Sequence, residues 1–261
     1  MPAGNPEPMI VIHRIPFGDT SLVVHLFSPS RGRFAALAKG AFREKSPFFG
    51  ALDGYDRIDA IVTKKRQDAL GILISIQRSQ PRRELRRDYA RMIATFYTAE
   101  LIDAALTETA HPRLFQIFDS FLDYLDTREL LTIREIRAAV AAFELHFLDE
   151  LGLRPILHVC AECGSALDSP KITFDPSAGG ALCQRCAPSR KTPWAISYKT
   201  LEAAAALLES GDLSEGREWA PLDDAGSREL RTFLDRFHVY HLDRTLKSRP
   251  ALDFLWKQNR S

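Results

Sequence analysis

Apolar and polar positions alternate along the first eighty residues in the way half-buried strands do. Met9 to Ile15 is β-branched, and Pro16-Phe17-Gly18-Asp19 after it is turn chemistry. Thr20 to Phe27 predicts a second strand, closed by Ser28-Pro29-Ser30-Arg31-Gly32, and Arg33 to Lys39 pairs back on it as a hairpin. A looser segment with Pro47 and Gly50 follows, then Tyr55 to Thr63, a polar loop from Lys64 to Asp68, and Leu70 to Ile76. Five short strands with a long connection after the third leave open edges unless the sheet closes, so a small barrel is expected. An OB-fold fits that plan, and an SH3-like barrel fits it nearly as well.

From Glu84 the period becomes helical. Tyr89, Ile93, Phe96, Tyr97, Leu101 and Ala104 share one side; His111-Pro112 opens a second helix through Leu125; Thr132 to Leu151 is a third. Gly152 suits a left-handed helix end. Ser197 is placed to cap a helix to Leu208, and Ser227 to Leu246 predicts a last long helix. The aromatic stripes read as helix core. The expected fold is therefore α+β: a barrel domain over residues 1–80 and a mainly helical domain over 81–261, with a cysteine-bearing insertion at about 155–190.

A chain of 261 residues, 45% hydrophobic and 26% charged, suits a soluble protein with a substantial core. Met1 to Pro8, rich in proline and small residues, reads as a disordered lead. Neither a long apolar run nor a basic-then-apolar start is present, so no membrane span or secretion signal is expected and the cytoplasm is the expected home.

Four cysteines in a reducing compartment read as metal ligands rather than disulfides. They form Cys160-x-x-Cys163 and Cys183-x-x-Cys186 with nineteen residues between the pairs. Each pair can turn two thiolates toward one ion, and the loop between them completes a tetrahedron, so a single structural zinc is expected. Gly164 and Gly179-Gly180 ease the turns, and Ile172 to Phe174 reads as a short strand. His158 nearby reads as a surface or supporting group. Cys160-Ala161-Glu162 with Cys183-x-x-Cys186 echoes zinc deaminases, with Glu162 as proton shuttle. Leu182 in place of a proline, the surplus Cys163 and the flanking pattern argue against that reading, and no catalytic residues are expected.

Net charge is only +1, yet residues 1–91 hold 16 Lys and Arg against 9 Asp and Glu, while the remainder holds 19 against 25. A basic front points to a polyanion partner for the barrel. On an OB plan, the ligand lies across strands two and three between the first and last hairpin loops. Arg31, Arg33, Lys39, Arg43, Lys45, Lys64, Lys65 and Arg66 all fall near that groove and are the expected DNA contacts. Phe17, Phe34, Phe42, Phe48 and Phe49 are candidate stacking faces, at least half of them expected in the core. A further run, Arg82-Arg83-Glu84-Leu85-Arg86-Arg87, reads equally as more DNA track or as a solvated helix start. Little sequence preference is expected. A zinc-stabilised adaptor that touches only protein is the alternative.

Four stretches together resemble the RecO family of bacterial recombination mediators. They are Gly18-Asp19-Thr20-Ser21; Gly32-Arg33 into Ala38-Lys39-Gly40-Ala41 and Lys45-Ser46; Phe143-Glu144-Leu145 with Leu151-Gly152-Leu153-Arg154-Pro155; and the two cysteine pairs with Gly164 and Gly179-Gly180. The resemblance implies an N-terminal OB-fold, a helical C-terminal domain and, with these cysteines, zinc. It implies binding of single- and double-stranded DNA, annealing of complementary strands, and a complex with RecR that helps RecA replace single-strand-binding protein. It also implies contact with that protein's acidic tail in the helical domain, where Arg228, Arg231 and Arg236 are loosely suited.

Overall fold

In a computed structural model, residues 5–52, 54–64, 70–189, 194–210, 222–242 and 245–257 are described. The chain forms two compact units, Met1–Thr127 and Arg128–Ser261.

In the first unit, β1 (Glu7–Phe17), β2 (Ser21–Ser28), β3 (Gly32–Ala38), β4 (Arg57–Thr63) and β5 (Gly71–Gln80) close into a barrel in the order β1-β2-β3-β5-β4. All neighbours are antiparallel except β3 and β5, which run parallel through Ala36↔Gly71 and Leu37↔Ile72. That closure gives the OB-like arrangement. β1 begins inside the segment read as disordered, because Glu7 and Pro8 pair with Ala60 and Asp59 of β4.

Alternation places Val24, Leu26, Phe34, Ala36, Ile58, Ala60 and Leu73 in the barrel interior. Its mouth is stoppered by Ala41, Phe48 and Leu52 from the long β3–β4 connection. β1 is buried on both faces from Met9 to Ile12, and its register shifts between Val11 and His13. Met9 and Val11 join the barrel core, while Ile10 and Ile12 are buried outside it, on a strand that packs against helix α1 (Tyr89–Ala105). Phe27 likewise leaves the barrel, and its ring meets Phe115 and Phe118 of α2 (Pro112–Thr127) at 5.5 and 6.3 Å.

Between strands and helices the arginine run is a fastener. Arg82, with no exposed side-chain surface, donates to Asp123 Oδ1 and to Tyr55 O at 2.8 Å each and pairs with Asp119. Its backbone N–H donates to Asp56 Oδ1 at 2.8 Å. Arg86 also reaches Asp56, and Arg87 pairs with Glu84. Three of the run's arginines thus knit the barrel's exit to α2 and to their own turn.

In the second unit, α3 (Ile133–Glu150) starts in a capping box, Thr132 with Glu135, and ends with Leu153 N–H donating to Leu148 O around Gly152 at φ 72°. β6 (Lys171–Asp175), β7 (Gly180–Leu182) and β8 (Trp194–Ser197) form a small sheet in the order β7-β6-β8. Ser197 caps α4 (Tyr198–Glu209) as expected, accepting from Thr200 N–H. The predicted last helix differs. α5 (Asp224–Leu242) starts three residues early, because Asp223 Oδ1 accepts the Gly226 N–H at 2.8 Å, and Thr245 and Leu246 are no longer helical. A separate α6 (Arg249–Lys257) follows, with Pro250 in its first turn and Leu252, Leu255 and Trp256 buried. A nine-residue helix shows too few turns for its period to stand out.

Replacing Arg82 by Met keeps volume but strands the carboxylates of Asp119 and Asp123, so it is expected to cost about 3 kcal/mol in urea unfolding. Arg82→Lys is expected to recover only part of that.

Candidate metal centre and nucleic-acid interface

Each Cys-x-x-Cys pair is a tight turn held by its own backbone. Gly164 N–H donates to Cys160 O at 2.9 Å, with Gly164 at φ 70°; Cys186 and Ala187 N–H donate to Cys183 O at 3.1 and 3.0 Å. The two turns are brought together by Ala161 N–H donating to Ala181 O at 2.7 Å and by a parallel bridge between Ile156 and Gly180. A side chain at Gly180 would meet Ile156 O at 2.3 Å, so only glycine lets these backbones approach. The sulfurs of Cys160, Cys163, Cys183 and Cys186 consequently lie within 4.8 Å of one another, a group that could hold a metal ion.

Their ionisation is correspondingly uneven. Hydrogen bonds from Ser165, whose Oγ is 3.3 Å from the Cys163 sulfur, lower the Cys163 thiol to about 6. Contact with Cys163, then burial, pushes Cys186 up to about 12. Burial opposes ionisation of Cys160, but backbone donors of Cys183, Cys163 and Glu162 outweigh it and lower that thiol. Arg185 donates to Ser165 Oγ at 2.8 Å and adds positive charge beside the sulfurs. His158 is exposed, bonded to Glu209 at 2.9 Å, and is not in the group. Cys163 belongs to the set, so four sulfurs surround the centre and the exposed Glu162 faces no three-ligand site of the deaminase kind.

The structure sorts the expected DNA contacts into two groups at opposite ends of β3, roughly 20 Å apart at the usual strand rise. At the start of β3, every described cation has a carboxylate. Arg31 Nη2 lies 2.9 Å from Glu108 Oε1, Lys64 contacts Glu108 Oε2, and Arg33 Nε lies 2.7 Å from Asp103 Oδ1, which also meets His25 Nδ1 at 2.7 Å. Burial alone would raise both carboxyls. Hydrogen bonds from His25 and Arg33 hold Asp103, and those from Lys64 and Arg31 hold Glu108, below the usual carboxylate range. All of these side chains keep some solvent contact, and pairs of this kind contribute only about 0–1 kcal/mol each.

At the other end, Lys39, Arg43 and Lys45 are exposed and form no salt bridge with any described residue. Phe17, Phe42 and Phe49 stand exposed on the same end, at 56%, 47% and 57%, whereas Phe34 and Phe48 are core. Phe42 N–H donates to Thr20 O at 3.0 Å and Gly40 N–H to Ser21 Oγ at 3.1 Å, fastening the start of the connection to the β1–β2 turn. Lys65 and Arg66 lie outside the described residues.

Models of the two halves of one family match in order: Recombination protein O N terminal over residues 7–81, and Recombination protein O C terminal over 86–250. The chain belongs to the RecO family. Among curated RecO proteins, the DNA repair protein RecO of Anaeromyxobacter sp. (strain K) is 33% identical over 245 residues, 94% of each chain. That of Symbiobacterium thermophilum is 30% identical over 250 residues, 94% of this chain and 95% of its own, and that of Myxococcus xanthus is 27% identical over 252 residues, 94% of each. RecO membership agrees with the OB-like barrel followed by helices, and no described helix is long and apolar enough to cross a membrane.

The helical unit also holds a cavity of about 400 Å³, lined among others by Arg134, Arg137, Ala141, Leu230, Arg231 and Trp256. Arg231 there pairs with the fully buried Glu144 at 3.1 Å. Arg236 instead lies over the Trp194 ring, 5.7 Å from its centre, and Arg228 is exposed.

Elemental analysis of the purified chain is expected to find one metal ion per chain. Cys160→Ser and Cys183→Ser should each lose it and lower the thermal midpoint, while retention of the metal by both variants counts against the four-sulfur site.

Proposed function

We propose that this RecO-family chain is a non-enzymatic mediator of DNA repair that binds single- and double-stranded DNA and anneals complementary strands. The observation that carries this reading is the exposed cation group Lys39, Arg43 and Lys45, without a salt bridge to any described residue, together with exposed Phe17, Phe42 and Phe49 at the β1–β2 turn and in the β3–β4 connection. Cations neutralise phosphates and release their counterions, and aromatic faces stack on unpaired bases whatever their identity. Lower repulsion between two held strands then favours pairing. In this reading residues 1–80 supply the DNA-binding domain and 81–261 the helical one, working in the cytoplasm at the nucleoid. Family resemblance supports RecR as partner, single-strand-binding protein as the coat to be displaced, and RecA as the protein loaded afterwards. The acidic tail of single-strand-binding protein would suit the cavity, where Arg134 and Arg137 stand beside Leu230 and Trp256.

The metal in this reading is zinc, with a structural role. A zinc ion about 2.3 Å from each of four thiolates sets tetrahedral sulfur–sulfur edges of about 3.8 Å. The Cys163 and Cys183 sulfurs stand 3.7 Å apart, too far for a disulfide and suited to that edge. When bound, zinc would join the two turns and stiffen the cysteine-bearing segment.

Reversing Lys39, Arg43 and Lys45 to Glu together is expected to weaken binding of a labelled single strand at least tenfold at moderate salt. The log–log salt slope should flatten by about 2, at roughly 0.7 per lost phosphate contact. Wild-type protein that shifts no oligonucleotide at low salt, while still binding protein partners, would favour a purely protein-binding adaptor. Replacing Phe42 and Phe49 by Ala should weaken single-strand binding more than duplex binding.

A further inference from the structure

Three carboxylates gather at the hairpin end of β3: Glu108 and Asp103 in close contact with its cations, and Glu7, whose Oε1 lies 3.9 Å from Arg31 Nη1. Glu108 bridges a guanidinium and an ammonium, Arg31 through one oxygen and Lys64 through the other, and Asp103 lies against Arg33. These cations come from the β2–β3 turn, the start of β3 and the end of β4, three segments distant in sequence. Guanidinium and ammonium groups gathered on one bidentate oxyanion are the donors that also grip a phosphodiester.

The carboxylates are set there by the backbone as well as by their charges. Arg33 N–H donates to Thr107 O at 3.2 Å, and a side chain at Gly32 would meet Thr109 O at 1.9 Å, so the segment after α1 rests directly on the hairpin. The partly exposed pairs contrast with Arg82, whose side chain is wholly buried and whose partners no solvent anion can replace.

Building on the DNA-binding reading above, we propose that Arg31, Arg33 and Lys64 form a second, latent nucleic-acid phosphate site, which Asp103 and Glu108 keep closed until a DNA backbone exchanges with them. The open cations at the far end of β3 engage a strand first. The latent group then accepts a strand only where local phosphate concentration is high enough to outcompete two tethered carboxylates. Affinity for isolated DNA is thereby held down, and a second strand is gripped only next to the first.

The test is fluorescence anisotropy with a labelled single-stranded oligonucleotide across a salt titration, using the full chain. Asp103→Asn with Glu108→Gln is expected to bind several-fold more tightly than wild type, with a log–log slope steeper by about 1 to 2, for two to three added phosphate contacts. The same two substitutions in an Arg31→Ala, Arg33→Ala, Lys64→Ala background should give no such gain. Unchanged affinity and slope in a cooperatively folding double variant would overturn the latent site and leave only ion pairs that pin a loop. A gain that persists in the triple-alanine background would overturn it too, as a general effect of removed negative charge. Should the double variant fail to fold, Glu108→Gln alone, at the more exposed carboxylate, decides by the same readout. If wild type binds DNA and the variants bind no better, this inference alone falls; if neither binds DNA, the DNA-binding reading falls with it.

Discussion

A short parallel contact closes the barrel, and the layout of the first unit follows from it. Among the described residues β3 and β5 pair through Ala36↔Gly71 and Leu37↔Ile72, where Gly71 has no room for a side chain: an added carbon would stand 2.7 Å from Val62 and 3.3 Å from Ala35 O. With β5 seated there, β4 can return to β1 and no strand edge is left open. The same contact sends the two ends of β3 to separate regions. One receives the β1–β2 turn and the long connection, the other the segment after α1 and the end of β4.

Depth decides what each positive charge does. Arg82, sealed from solvent among Asp119, Asp123 and the Tyr55 carbonyl, is a structural member whose loss would leave buried negative charge uncompensated. Arg31, Arg33 and Lys64 are half-covered, so their partners hold them in place without removing them from competition. Lys39, Arg43 and Lys45 are in open solvent beside exposed rings. The described cations of the basic half thus differ in availability, and Lys39, Arg43 and Lys45 meet a polyanion without first giving up a carboxylate among the described residues.

The cysteine group works by a different constraint. Four sulfurs within 4.8 Å would repel one another once ionised. A cation at their centre would relieve that repulsion and link two turns that otherwise share a few backbone bonds. The turns also hang on Gly180, whose missing side chain lets the loop through Ile156 lie against β7.

Features set by neighbours along the chain were legible in the sequence. Strand alternation in Thr20 to Phe27, the helix start at Thr132, the Ser197 cap, the left-handed Gly152 and the doubled Cys-x-x-Cys spacing all act within a few residues, so pattern alone determines them. Strand alternation by itself favoured an OB-fold only slightly over an SH3-like barrel, because that choice rests on which distant strand lies beside β3; the family resemblance is what pointed firmly to the OB-like form. The sorting of cations was hidden: Arg33 meets Asp103 across 70 positions and Lys64 meets Glu108 across 44, and no periodicity reports such pairs. Phe34 and Phe48 differ from Phe42 and Phe49 only in which way the folded backbone turns each ring. Local sequence determined most of the elements and the two cysteine turns; tertiary packing decided which charges and rings remain available, because burial and ion pairing are properties of surfaces brought together by the fold.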